Sequence, residues 1–185
     1  MSKYQDHVAK WRNCRRCDLC KRRHRVVIAR GTVPCQVLFL GEAPGASENV
    51  IGQPFVGPAG HLLNKIIAKS IPTDIPYLIT NLVGCIPKED RADKSLEPPD
   101  YAIEACKAKV VELVKISKPK LIVTVGKLAR KWLPIILKDH YKLGKDYKTV
   151  DIIHPAAILR MDVSQVGLAI QRSIVTLRDA VEDLG

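Results

Sequence analysis

The chain has 185 residues, 46% hydrophobic and 26% charged, which fits one globular, soluble domain with a sizeable core. No apolar run is long enough to span a membrane, and the start Met1-Ser2-Lys3-Tyr4-Gln5-Asp6-His7 lacks the apolar centre of a signal peptide, so a cytoplasmic protein is expected. A net charge of +11 and a pI near 9.5 favour a polyanionic partner, most commonly nucleic acid, and ten Lys or Arg fall within residues 1–30 against Asp6 and Asp18.

The first element met along the chain is chemical. Cys14-Arg15-Arg16-Cys17 is a CxxC pair, extended by Cys20. Cys35 follows, just before the first apolar run, Val37-Leu38-Phe39-Leu40, and reads as a small core residue. The run reads as a buried strand, and Gly41-Glu42-Ala43-Pro44-Gly45-Ala46-Ser47-Glu48 comes directly after it. Pro58 opens a predicted helix to about Lys69, with Leu62, Leu63, Ile66 and Ile67 on its buried side. A second strand, Tyr77–Thr80, leads straight to Asn81, with Cys85 four residues on. The polar segment Lys88–Asp100 reads as an exposed loop, and a helix carrying Cys106 runs from about Pro99 to Ser117.

A third strand, Leu121–Val125, ends at Gly126-Lys127. The helix that begins there meets Pro134, which is expected to end or kink it. A fourth strand, Thr149–Ile153, ends at His154-Pro155-Ala156-Ala157, and a final helix is expected from Ser164, as N-cap, to about Leu184. Strand–helix alternation predicts an α/β domain with a central, mainly parallel four-stranded sheet flanked by helices.

Residues that packing would not choose thus follow each strand. In a parallel sheet these positions share one edge, where open α/β sheets bind ligands, so Glu42, Asn81 and His154 are expected to converge. Singly, each has an ordinary reading as a turn residue or a structural histidine. The clustered thiols point to metal chemistry in a reducing compartment; four of them suit either a zinc ion or a [4Fe–4S] cluster. Cys20 reads as a spare thiol or an alternative ligand.

Seven blocks in order carry a resemblance that covers roughly residues 13–160. They are Cys14-x-x-Cys17 with Arg25-Val26-Val27, Gly41-Glu42-Ala43-Pro44-Gly45, Gly52-Gln53-Pro54-Phe55-Val56-Gly57-Pro58-Ala59-Gly60, Thr80-Asn81-Leu82-Val83-Gly84-Cys85, Glu104-Ala105-Cys106, Lys118-Pro119-Lys120 and His154-Pro155-Ala156-Ala157-Ile158-Leu159-Arg160. Together they resemble the family 4, iron–sulfur uracil-DNA glycosylases. The resemblance implies a three-layer domain spanning residues 1–185, a [4Fe–4S] cluster on Cys14, Cys17, Cys85 and Cys106 that tethers the basic segment of about residues 1–30, and a monomer that acts on uracil-containing DNA. It implies Glu42 and His154 as the catalytic pair, and Phe55, Asn81, Ala43 and Glu48 around the flipped uracil. Ile158, Leu159 and Arg160 would grip DNA, with core packing as the alternative for Ile158 and Leu159. The activity implied is hydrolysis of the N-glycosidic bond, with no lyase step. A DNA-binding relative without base release and an iron–sulfur electron carrier are the competing readings.

Overall fold

The computed structural model describes residues 2–87, 97–138 and 147–184; most of the expected 88–100 loop, and His140, lie outside the described residues. Five strands form one sheet in the order β1-β3-β2-β4-β5: β1 Ala29–Gly31, β2 Val37–Gly41, β3 Tyr77–Asn81, β4 Leu121–Val125 and β5 Lys148–Ile152. The four strands read from the sequence are all present and mutually parallel, with β2 paired to β3 from Val37↔Tyr77 to Gly41↔Asn81. The sheet nevertheless has five strands rather than four. The added β1 is only three residues long, pairs antiparallel to β3 and has no apolar alternation to betray it.

Alternation along the central strands sorts the core into two layers. Leu38 and Leu40 of β2 face one hydrophobic cluster with α4 (Asp100–Ser117) and α5 (Lys127–Leu137). Val37 and Phe39 face the other, with α3 (Pro58–Ser70) and α7 (Val163–Glu182). Central strands covered on both faces explain their nearly unbroken apolar sequence.

The described residues also form three shorter α-helices, α1 Lys3–Trp11, α2 Ala46–Ile51 and α6 Pro155–Ile158, and a 3-10 turn at Asp18–Lys21. The structure refines two expectations about helix ends. Of the two outcomes expected at Pro134, an end or a kink, the end does not occur: α5 continues to Leu137, where Leu133, Ile136 and Leu137 bury their side chains while the proline ring faces solvent. α7 starts at Val163 with Asp162 at its N-cap position, two residues ahead of the expected Ser164. α1 carries a capping box from Ser2 to Gln5, a signal visible in the sequence.

Candidate active site and cysteine cavity

The parallel register brings the C-terminal ends of β2, β3, β4 and β5 to one edge, and a cleft of about 930 Å³ opens there. Glu42, Ala43, Glu48, Phe55, Asn81, His154 and Arg160 all line it. Every predicted uracil or catalytic position therefore reaches one cleft, from four separate stretches of chain.

Glycines allow the side chains to meet. A Cβ on Gly41 would stand 2.4 Å from Asn81 Oδ1 and 2.5 Å from Phe55 Cζ. A Cβ on Gly126, which has φ +98°, would stand 2.5 Å from Glu42 Oε1 and 3.0 Å from His154 Cβ. The two glycines are thus the spaces through which Asn81 approaches Phe55 and Glu42 approaches His154.

Asn81 ends β3 and is 1% exposed, with its Oδ1 buried and lacking a hydrogen-bond partner. A buried amide oxygen left unpaired in a cleft wall is an acceptor waiting for a donor. The Phe55 and His154 rings lie 5.9 Å apart, tilted by 35°. Phe55 adopts φ +55°, a left-handed conformation that costs about 1–3 kcal/mol for a non-glycine residue and is held only by surrounding contacts. Arg30 of β1 supplies them: its Nε donates to the Pro54 carbonyl (2.6 Å), and its Nη2 donates to the Phe55 carbonyl (3.2 Å) and to Asn64 Oδ1 (2.6 Å). Gly60 completes the arrangement, since a Cβ there would overlap the Phe55 carbonyl. Sequence reasoning missed Arg30. Its only signal is a lone charge between Ala29 and Gly31.

Glu48 reaches the cleft, but its carboxylate is occupied by the main chain. Oε1 accepts from the Val56 and Gly57 N–H groups (both 2.9 Å), and Oε2 accepts from Gly45 (3.1 Å). It holds the loop that follows β2 against the loop that carries Phe55.

His154 is the N-cap of α6, and its Nδ1 accepts from the Ala156 N–H at 3.2 Å. An accepting Nδ1 leaves the proton of the neutral ring on Nε2. Burial, reinforced by the Arg160 guanidinium and partly opposed by Glu48, pulls its pKa down to about 4, so the ring is neutral near pH 7. Burial pushes the Glu42 carboxyl above the ordinary glutamate value, with Glu97 adding repulsion; the main-chain N–H of Leu128 and the charge of Arg160 work against the rise. Leu128 lies in the first turn of α5, where N–H groups lack helical partners.

The structure divides the Ile158-Leu159-Arg160 trio. Ile158 is 0% exposed within the α3/α7 layer and takes the core-packing alternative, which corrects its reading as a DNA wedge. Leu159 is 53% exposed, and Arg160 is exposed at the cleft.

A second, small cavity is lined by Cys14, Cys17, Cys20, Cys85 and Cys106, closed by Trp11 and Val26. Cys35 is elsewhere, buried in the core, with its thiol pushed up to about 11 by burial. Burial also pushes Cys85 up to about 11, against the pull of Arg23, whose Nη1 donates to Cys85 Sγ at 3.6 Å. Among the described residues, no three His, Cys, Asp or Glu side chains stand close enough together to hold a metal ion as they are placed. The donor set itself, five thiols from three chain segments facing one cavity with cationic neighbours, fits a thiolate-ligated centre. The basic segment is fastened beside this cavity: Glu112 of α4 accepts from Trp11 Nε1 (2.8 Å) and from Lys10, and the His24 N–H donates to Asn49 Oδ1 (2.8 Å).

An amide, an aromatic ring, a neutral imidazole and a carboxylate thus surround one cleft at the edge of a mainly parallel sheet in a three-layer α/β domain. Residues 29–174 match the family model described as the uracil DNA glycosylase superfamily. Among curated proteins, the chain is similar to the type-4 uracil-DNA glycosylase of Archaeoglobus fulgidus, 30% identical over 173 residues, covering 86% of this chain and 84% of that one. It is similar to that of Pyrobaculum aerophilum, 34% identical over 163 residues (80% and 81%), and to that of Sulfurisphaera tokodaii, 33% identical over 162 residues (80% and 71%). The chain belongs to the uracil DNA glycosylase superfamily, in its type-4 branch.

Proposed function

We propose that this protein removes uracil from DNA by hydrolysing its N-glycosidic bond and leaves an abasic site. The observation that carries the reading is the unpaired Asn81 Oδ1 in the cleft wall beside the Phe55 ring. Uracil offers a donor at N3 and an acceptor at O4 side by side, and one carboxamide complements both. A base in a duplex is out of reach, so it must be flipped, at a cost of a few kcal/mol. Phe55 then supplies a flat apolar face for it.

Breaking the C1′–N1 bond sends its electron pair to uracil and leaves positive charge on the sugar. The neutral His154 meets the first charge as it develops, by donating Nε2–H to O2. The Glu42 carboxylate meets the second charge and orients the water whose oxygen bonds to C1′. The proton that water loses passes to Glu42 or solvent, and the uracil anion is protonated after it leaves. Ala43 and Glu48 shape the floor of the same pocket, and Leu159 and Arg160 meet the DNA around it.

Cys14, Cys17, Cys85 and Cys106 are the residues that would hold a [4Fe–4S] cluster, with zinc as the alternative occupant and Cys20 as the spare thiol. Such a group contributes structure, tethering the basic segment of residues 1–30 to α4 and to the loop after β3. Iron, sulfide and zinc content of anaerobically purified protein separates the two. A cytoplasmic monomer completes the reading, and sedimentation tests the oligomeric state.

The deciding experiment incubates the protein with a uracil-containing oligonucleotide, then cleaves abasic sites with alkali, with Glu42→Gln and His154→Ala in parallel. Strand cleavage only after alkali, and about 100-fold or greater loss in each variant, is expected. Tight DNA binding with no uracil released would instead establish the non-excising relative.

A further inference from the structure

Lys109 of α4 is 2% exposed, the one lysine or arginine buried among the described residues. It lines the cysteine cavity. Its Nζ donates to the main-chain carbonyl of Asn81 at 2.9 Å. The thiols of Cys14, Cys85 and Cys106 line that same cavity. A buried ammonium has few ways to be compensated, and here both are visible: a carbonyl acceptor and the sulfurs of the cavity.

Asn81 is the last residue of β3, so its carbonyl lies beyond the sheet ladder and its side chain enters the cleft. The Lys109 bond fixes this carbonyl, and hence the peptide from which the amide projects. Trp11 of α1 and Cys14 and Cys17 of the CxxC segment line the same cavity as Lys109. One side chain therefore spans the gap between the cysteine cavity and the base pocket.

We infer that Lys109 is a positioning residue that serves both sites, as the countercharge of the thiolates and as the support that holds Asn81 in register for the base. The inference rests on the reading of the cleft as a uracil pocket. It makes the occupancy of the cysteine site felt at the amide, through one side chain and without any contact between cluster and base.

The test compares the anaerobically purified wild type with Lys109→Met, which keeps length but removes charge and donor, and Lys109→Gln, which keeps a donor but not the charge. Three quantities are measured: affinity for free uracil by calorimetry, iron release to a chelator by absorbance, and affinity for abasic-site DNA. Lys109→Met is expected to bind uracil about tenfold or more weakly and to release iron about tenfold or more faster, with abasic-DNA affinity within about twofold of wild type. Lys109→Gln is expected to release iron as fast as Lys109→Met but to bind uracil more tightly than it. Uracil binding or iron retention by Lys109→Met within about twofold of wild type overturns the inference, as does a parallel fall in abasic-DNA affinity, which would make Lys109 a general core residue. Where Lys109→Met yields no folded protein, Lys109→Gln decides, and wild-type iron retention in it overturns the inference. A wild type that binds no uracil refutes the reading of the cleft instead, and the iron measurement still judges the link between Lys109 and the cysteines.

Discussion

Gly41→Ala adds one methyl group at the point where two pocket walls meet. The residue ends β2 with ordinary extended backbone, paired to Asn81, so alanine brings no conformational penalty of its own. The cost is steric. The new Cβ would lie 2.4 Å from Asn81 Oδ1 and 2.5 and 2.6 Å from the Phe55 ring, whereas ordinary contacts are 3.4–4 Å, so each wall must retreat by about 1 Å. Overpacking of this kind costs about 1–3 kcal/mol in stability, and a displacement of about 1 Å at a reacting site costs about 100-fold in rate. The assay is kcat/KM for uracil release from an oligonucleotide, with a urea unfolding curve for each protein. Gly167→Ala is the control, since it adds the same methyl group on exposed α7 with nothing within 4 Å. A Gly41→Ala enzyme with kcat/KM within about threefold of wild type would refute the reasoning that this glycine sets the spacing of amide and ring.

Three other outcomes are expected. His154 has a folded-state pKa of about 4 against 6.5 for the free side chain, so the unfolded chain binds more protons between those values; stability is full above about pH 6.5 and falls as pH drops through 4. The difference is about 3 kcal/mol, and His154→Gln should flatten that part of a pH–stability profile measured by urea unfolding. Ile158→Ala should lower stability by about 2–5 kcal/mol, while Leu159→Ala should leave stability within about 0.5 kcal/mol and weaken DNA binding, as unfolding and fluorescence anisotropy would show. Arg30→Met removes three hydrogen bonds from the Phe55 loop and its neighbour Asn64; uracil affinity should fall about tenfold or more, with abasic-DNA affinity little changed.

The sheet was legible because buried parallel strands write themselves as short apolar runs, and the edge followed because parallel strands end together. That is why Glu42, Asn81 and His154 converge as expected although they lie far apart in sequence. What stayed hidden depends on distance rather than pattern. Arg30 acts through carbonyl groups of another loop, Lys109 looks like one more charge on a long helix, and β1 is too short to show alternation. Glu48 had a legible position but not a legible partner, since main-chain N–H groups leave no mark in a sequence. Ile158 and Leu159 are adjacent apolar residues with opposite surroundings, and only the turn after α6 decides which one faces the core. Pro134 does not end α5 because the burial of Leu133, Ile136 and Leu137 outweighs local propensity.

The common direction of β2 to β5 also gives the molecule two unlike ends. The cleft and its lining residues lie at one end. The turn from Pro72 to Pro76 before β3 and the Lys118-Pro119-Lys120 turn before β4 lie at the other, where Asp74 and Lys118 face solvent. A surface tether, a fluorophore or a fused domain attached at Asp74 meets neither the cleft nor the cysteine cavity. The far end is the handle by which this protein can be held while its working end is left free for DNA.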